Sequence, residues 1–521
     1  MSAFSIAQAA REHPERIALD DGHRAITFPE LALAARHASQ VLELDAPSHP
    51  PLAFEARPTL PSIATLCAAL DHGLPIVPLH PRATQEEQAR IVRETAARLV
   101  DPASLATRLS LKPALEPGRA PPRPDIPDDD RPLAILATSG SSALPKLAVL
   151  SRRAFAHATH ASALRLGSRA DDRWLLALPF AHVGGLSVLL RALRTRTAVV
   201  LARQDEPLQD ALERSQSTLA SLVPTQLARL VAQGQRPPVS LRLALIGGAA
   251  ASRGLLTRVR AMGWPAVPTW GATETCAQIA TVPPVLLRSA QAEDPGCGPP
   301  LEGTTVRVRD GVLEVRSPAL LSGYLVEGRV RPALTSDGFF RTGDLGEVDA
   351  SGNVHIHGRA DRTIITGGEK VAPAKVEAAL LELPEVEAAF VFGVDDPEWG
   401  QRVAAAIVTR TPTPTPTPTP TLTPTLTPTL TLTPTQTLAP TPTPTPTLTP
   451  THNADAQRPT LNADAPRLTL AASALPSLAA HERPRLLAIL PSLPTLPSGK
   501  PDRAAITALA LPRLRPPIAS G

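Results

Sequence analysis

A chain of 521 residues with 52 basic and 48 acidic side chains carries a net charge of only +4. It is long enough for more than one domain and too evenly charged to read as a polyanion-binding surface. Its five lysines (112, 146, 370, 375 and 500) leave the basic charge almost wholly to arginine, and no basic-aromatic stripe marks a nucleic-acid face. Three cysteines without paired spacing, no N-terminal leader pattern and no uncharged apolar run of about 18 residues argue against a disulfide framework and a membrane span, and point to a reduced, cytoplasmic setting.

In chain order, apolar residues at helical spacing predict helices over 31–42 and 61–70. Short apolar runs beside turn residues predict strands at Ile76–Leu79, Leu133–Leu136, Trp174–Leu178 and Ala198–Leu201, buried in a helix-covered sheet. Leu243–Ile246 is another, running into Gly247 and Gly248. Such alternation predicts an α/β fold with sites at the strand ends. From Arg307 to Val315 and from Gly346 to His357 the texture changes to short strands with Gly and Asp turns. Beyond Gly358 the pattern predicts a small α+β domain: a strand at Thr363–Ile365, a helix over 374–383, then strands at Ala388–Val394 and Val403–Val408. The expected division is a large domain over 1–358 and a small one over 359–521.

Residues 411–451 repeat Thr-Pro and Thr-Leu-Thr-Pro units without a single charge. Recurrent proline removes backbone donors and blocks helix and sheet, which predicts extended disorder. The tract sits inside the small domain, because a further motif lies beyond it. Closure entropy grows only logarithmically with loop length, so a neutral surface insertion is tolerated; a ligand for a proline-recognising partner is the functional alternative.

Five motifs carry the chemistry. Thr138-Ser139-Gly140-Ser141-Ser142-Ala143-Leu144-Pro145-Lys146 follows a predicted strand, and its small residues, hydroxyls and lysine suit an anion. It lacks the spacing of a Walker loop, and a solvated Ser/Thr turn is the alternative. In Thr269-Trp270-Gly271-Ala272-Thr273-Glu274 the indole offers a face to a purine, Thr273 a donor to phosphate, and Glu274 a hard oxygen ligand for Mg²⁺. A core tryptophan beside an exposed glutamate would look the same. Asp344, in a glycine-flanked turn of Arg341-Thr-Gly-Asp-Leu-Gly346, is placed to accept from ribose hydroxyls, with Arg359 of Gly358-Arg-Ala-Asp361 on the same sugar. Taken singly, each also reads as a turn cap or surface ion pair. Lys500, in Pro497-Ser-Gly-Lys-Pro-Asp-Arg503, can bridge a carboxylate and a phosphate as charge develops. His182 sits in a strand-end loop, Pro179-Phe-Ala-His-Val-Gly-Gly185, without the companions that zinc needs, and lines or gates a pocket or is simply structural.

Read together, these motifs resemble the adenylate-forming superfamily of acyl-CoA synthetases, adenylation domains and luciferases, over nearly the whole chain outside the Thr-Pro tract. The resemblance implies a large multi-subdomain N-terminal domain and a small mobile C-terminal domain. It implies acid activation by ATP and Mg²⁺, then transfer to coenzyme A. Lys500 would orient carboxylate and α-phosphate, Glu274 would hold Mg²⁺, and Thr138 to Lys146 would hold the outer phosphates. Trp270 would lie on adenine, Asp344 and Arg359 on the ribose, and Gly248, Ala249 and Gly271 would also bind the nucleotide. Asp361 would be the hinge, Gly367 and Gly368 would line the thiol tunnel, and His182 would gate it. Ala143 and Leu147 stand where the family commonly has glycine, and Trp270 replaces a more usual tyrosine. Leu178–Ser187, Ser221–Leu227, Ile246–Ala250 and Thr273–Ile279 most resemble the o-succinylbenzoate–CoA ligase subgroup. A ligase for another aryl or fatty acid and an inactive nucleotide-binding scaffold are the alternatives. An amino-acid-activating domain is disfavoured, because the Phe180-Ala-His-Val segment lacks the Asp that would meet an α-ammonium.

Overall fold

In the computed structural model the described residues are 3–44, 49–106, 127, 129–138, 145–288, 295–410, 475–496 and 501–516. The Thr-Pro tract 411–451, the loop residues Ser139, Gly140, Ser141, Ser142 and Ala143, and Lys500 lie outside them.

Two large sheets form the first part of the chain. The eight-stranded one runs, edge to edge, through Ala277–Thr281, Ala266–Ala272, Leu243–Ile246, Leu219–Leu222, Arg173–Leu175, Ala198–Val200, Ile17–Asp20 and Ala25–Thr27. Its inner strands are parallel, and antiparallel strands close both ends. The seven-stranded one places Leu147–Ser151 antiparallel to Pro132–Ala137, which lies parallel to Ile76–Leu79. The buried strands are near-continuous apolar runs, as strands covered on both faces must be. One core cluster unites the two sheets through Phe54, Phe155, Trp174 and Phe180, and a second packs under Trp264.

Of the predicted elements, Ile76–Leu79 and Leu243–Ile246 appear with the expected bounds. The helices are Phe28–Val41 and Leu60–Asp71, the first held by a Thr27/Glu30 capping box. The strand expected over 174–178 is Arg173–Leu175 instead. Leu176 still donates to the Val200 carbonyl at 2.9 Å, but Leu201 beyond it donates to the Asp20 carbonyl on the other side. Pro179, with no N–H, could not carry the ladder further. Leu147, where glycine is usual, is a buried strand residue opposite Ala137 and Leu325.

A four-stranded antiparallel meander, Thr305–Arg309, Val312–Arg316, Phe340–Val348 and Val354–Arg359, leads to the last sheet. There Val386–Asp396 and Gly400–Thr409 form a long hairpin, and Leu486–Ile489 adds in parallel to Gly400–Thr409. Alternate residues face opposite cores. Val403, Ala405 and Ile407 pack with Val376 and Leu380 of the helix Pro373–Leu381. Ala404 and Ala406 pack with Ile506 and Ala510 of the helix Arg503–Ala510. The result is the two-part α/β architecture expected. Among the described residues no helix is long and apolar enough to cross a membrane.

Candidate active site

The strand Ala266–Ala272 reverses through a single turn, Thr273–Thr275, into Ala277–Thr281. The reversal is tight: a Cβ on Gly271 would overlap the Ala277 carbonyl, so only glycine fits. Cys276 and Ala277 adopt φ of 50° and 83°, a conformation side chains rarely accept away from functional turns. Thr275 clamps it, its hydroxyl accepting from the Ala272 amide at 2.9 Å and donating to the Ala277 carbonyl at 2.7 Å. Thr273 and Glu274 are thereby presented half-buried at the strand edge.

Glu274 Oε1 accepts a hydrogen bond from the Tyr324 hydroxyl at 2.8 Å. Tyr324 lies in Gly323–Val326, opposite Ala148 of the strand that follows the phosphate-type loop. The Lys146 ammonium stands 5.2 Å from the Tyr324 ring centre. Thr138, buried, donates its amide to the Lys146 carbonyl at 2.8 Å, so the described ends of the 138–146 loop are pinned together. Burial and then the Glu274 carboxylate push the Tyr324 phenol well above its ordinary range, which keeps it a donor. Sequence reasoning missed Tyr324, although it is the only tyrosine in the chain.

At the other end of the motif, Trp270 is buried and its indole N–H donates to Asp344 Oδ2 at 2.8 Å. Asp344 does not sit in a turn: it lies within Phe340–Val348, beside a register irregularity at Leu345/Gly346, because its strand partner is Arg359. Arg359 donates to Asp344 Oδ1 at 3.2 Å, to the Thr342 carbonyl at 3.0 Å and to Asp361 Oδ1 at 3.3 Å. Burial draws the Arg359 guanidinium down, but Asp344 and Asp361 outweigh it and hold it above its usual value. Gly248 and Ala249 leave Leu243–Ile246 at the edge from which Trp270 and Gly271 emerge, since Ile246 pairs in parallel with Pro268.

His182 holds the N-cap position of Val183–Thr195 and packs its ring against His80, centroids 5.1 Å apart. Sequence reasoning missed His80. It follows Ile76–Leu79, and its Nδ1 accepts from the Arg82 amide at 3.1 Å. Burial and, to a smaller degree, Arg82 hold its imidazole below the ordinary range. Arg191, on the same helix as His182, was also missed. It is 5 % exposed, its guanidinium lies 5.5 Å from the Trp174 ring centre, and Nη1 has no acceptor among the described residues. Burial lowers it to about 10.

Gly367 and Gly368 stand on the last sheet, apart from these clusters. Gly367 has φ of 57° and presses on Trp399, whose ring is 41 % exposed with the Arg485 guanidinium 5.9 Å from its centre. Thr495 bridges to Pro501 of the lysine motif, and Asp502 of that motif caps Arg503–Ala510. Burial and then Arg362 lower the Arg503 guanidinium while Asp361 opposes, so this end of the motif senses the Arg359–Asp361 turn.

The chain is similar to several known proteins. Residues 6–325 match the AMP-binding enzyme family, and residues 375–427 match the AMP-binding enzyme C-terminal domain. The 2-succinylbenzoate–CoA ligase of Bacillus licheniformis is 31% identical over 438 residues, 78% of this chain and 89% of that one. The o-succinylbenzoate CoA synthetase of Bacillus subtilis, solved with its acyl-adenylate intermediate, is 26% identical, covers 96% of each chain and superposes with a TM-score of 0.75. The same enzyme with ATP and magnesium is 25% identical, covers 96% of this chain and 98% of that one, and gives a TM-score of 0.74. The chain therefore belongs to the family of AMP-binding enzymes.

Proposed function

We propose that this enzyme activates o-succinylbenzoate with ATP and passes it to coenzyme A, serving menaquinone biosynthesis in the cytoplasm. A carboxylate oxygen attacks the α-phosphorus and pyrophosphate leaves; the thiol then attacks the acyl carbon and AMP leaves. The observation that carries this reading is the half-open Glu274 carboxylate, held by Tyr324, beside Lys146 and the pinned ends of the 138–146 loop. A hard carboxylate oxygen with a free lone pair fits Mg²⁺, which when bound neutralises phosphate charge.

In this reading Thr138, Ser139, Gly140, Ser141, Ser142 and Lys146 hold the outer phosphates, with Thr273 adding a hydroxyl. Trp270 and Gly271 border the adenine with Gly248 and Ala249, and Asp344 with Arg359 meets the ribose. Lys500 steers the carboxylate to phosphorus, so catalysis is largely positioning and charge neutralisation. A small domain over 359–521 turns about Asp361 and brings Gly367 and Gly368 to the thiol path beside His182.

The acid itself is favoured by Arg191. A buried guanidinium is costly without a carboxylate partner, and Arg191 has none among the described residues; a dianionic acid supplies the missing charge with its second carboxylate. The test is mass spectrometry of the thioesters formed when o-succinylbenzoate, benzoate, octanoate and acetate compete for enzyme, ATP, Mg²⁺ and coenzyme A. Dominant o-succinylbenzoyl-CoA with AMP is expected. Arg191→Gln should cut the preference for o-succinylbenzoate over benzoate about a hundredfold. Another dominant thioester would reassign the substrate, and neither thioester nor acyl-AMP would overturn the reaction.

A further inference from the structure

The contact between Trp270 and Asp344 joins two sheets across 74 residues of sequence. Trp270 comes from the eight-stranded sheet and Asp344 from the meander. We propose that Trp270 is a positioning residue for ribose recognition, acting through the Asp344 carboxylate rather than only through its aromatic face. The proposal rests on reading Asp344 as the acceptor for the ribose hydroxyls.

The backbone of Asp344 is fixed without help from Trp270. Its amide donates to the Thr342 hydroxyl at 3.1 Å, that hydroxyl donates to the Leu313 carbonyl at 2.8 Å, and the residue pairs with Arg359 in the ladder. What remains free is the carboxylate torsion, and among the described residues two contacts set it. One is the indole N–H at 2.8 Å from a residue 7 % exposed. The other is the Arg359 Nη1 at 3.2 Å, from a side chain 44% exposed and shared with Thr342 and Asp361. The buried, short, single-partner contact is the one that orients the group.

The chemistry of the donor matters as much as its place. An indole N–H donates and never accepts, so it occupies one lone pair of Asp344 and leaves the others for hydroxyl donors. It also holds Oδ2 away from Arg359. Released from Trp270, the carboxylate is free to turn toward the guanidinium and form a two-pronged pair, the stronger geometry for these partners. That rearrangement would fill with Arg359 the lone pairs the ribose needs.

The test compares kcat/KM for ATP, 2′-deoxy-ATP and 3′-deoxy-ATP in wild type, Trp270→Phe, Asp344→Ala and the double variant. Phenylalanine keeps an aromatic face and removes the donor. The expected result is a fall of about tenfold for ATP in Trp270→Phe, the effect of one hydrogen bond to a charged group. The deoxynucleotide lacking the recognised hydroxyl should fall far less, so discrimination collapses. The double variant should be no worse than Asp344→Ala, since both act through one contact. Should phenylalanine impair folding, Trp270→Leu, which also carries no donor, gives the same readout in the ratio of ATP to the deoxynucleotides. Equal losses for all three nucleotides would mean stacking alone and would overturn the proposal. Discrimination lost in Asp344→Ala but kept in Trp270→Phe would also overturn it. Discrimination kept in Asp344→Ala would instead remove the assignment of Asp344 to ribose on which the proposal stands.

Discussion

Trp270 and Glu274 lie four residues apart on one strand-and-turn, yet their side chains end in unlike surroundings. The Trp270 end is closed: both Asp344 oxygens have donors, and the chain of contacts runs on through Arg359 to Asp361. The Glu274 end is open: Tyr324 takes one oxygen, and the other has no donor among the described residues. Lys146, the cation nearby, lies over the Tyr324 ring rather than on the carboxylate. A carboxylate with a donor on each oxygen is held in one orientation and keeps lone pairs for hydroxyls, whereas a carboxylate with one bare oxygen next to a cation is a place prepared for a metal ion. The closed end is fixed in advance for neutral donors, and the open end is left for a cation.

The comparison is broken most sharply at the open end. Glu274→Gln keeps shape and the hydrogen bond from Tyr324 but removes the negative charge. The expected outcome is a loss of about 10²–10³ in the rate of acyl-adenylate formation, with Tm little changed. Single-turnover measurement of acyl-AMP separates this step from thioester release. A loss below about tenfold would show that Glu274 does not carry the metal.

Tyr324→Phe sharpens the same contrast with a smaller effect. It frees Glu274 Oε1, and a hydrogen bond to a charged group is worth about 1.5–3 kcal/mol. Adenylation should slow by roughly tenfold. Combined with Glu274→Gln, the variant should add little, because one residue acts through the other. Additive losses would give Tyr324 a role of its own. The phenol is held above its ordinary range by burial and by Glu274, so no basic limb of the rate profile should come from Tyr324 below about pH 10.

Much of this is legible in the sequence, and what is not has a physical cause. The strands Ile76–Leu79 and Leu243–Ile246 are readable because short apolar runs stop at turn signals such as Gly247 and Gly248. The motif residues Glu274, Asp344 and Arg359 are readable as chemistry, but their partners are not. Tyr324 is 50 residues from Glu274, and the strand pairing that brings it there is tertiary. Asp344 reads as a turn residue because glycines flank it; the ladder with Val354–Arg359 overrides that local signal. Arg191 is hidden in an arginine-rich chain, since burial without a carboxylate partner among the described residues is a property of place rather than of type. Leu486–Ile489 cannot be read as the neighbour of Gly400–Thr409, because the whole Thr-Pro tract separates the two strands along the chain and no local signal marks their pairing.

The smallest effect expected concerns a third place, the strand end where His80 packs on His182. Burial, and less so Arg82, holds the His80 imidazole below its ordinary value. As pH falls through about 6.5 the unfolded chain takes up a proton at this residue while the folded chain does not yet do so. Stability rises with pH wherever the unfolded state binds more protons. The contribution is therefore complete above about pH 6.5 and is lost as pH drops below it. Replacing His80 with Phe keeps a ring against His182 and removes the titration. The fall in Tm between about pH 7 and pH 5 should then be shallower in His80→Phe than in wild type. Parallel curves would mean that His80 protonates freely in the folded enzyme, and that this edge, unlike the Trp270 end, is loose enough to admit a charge.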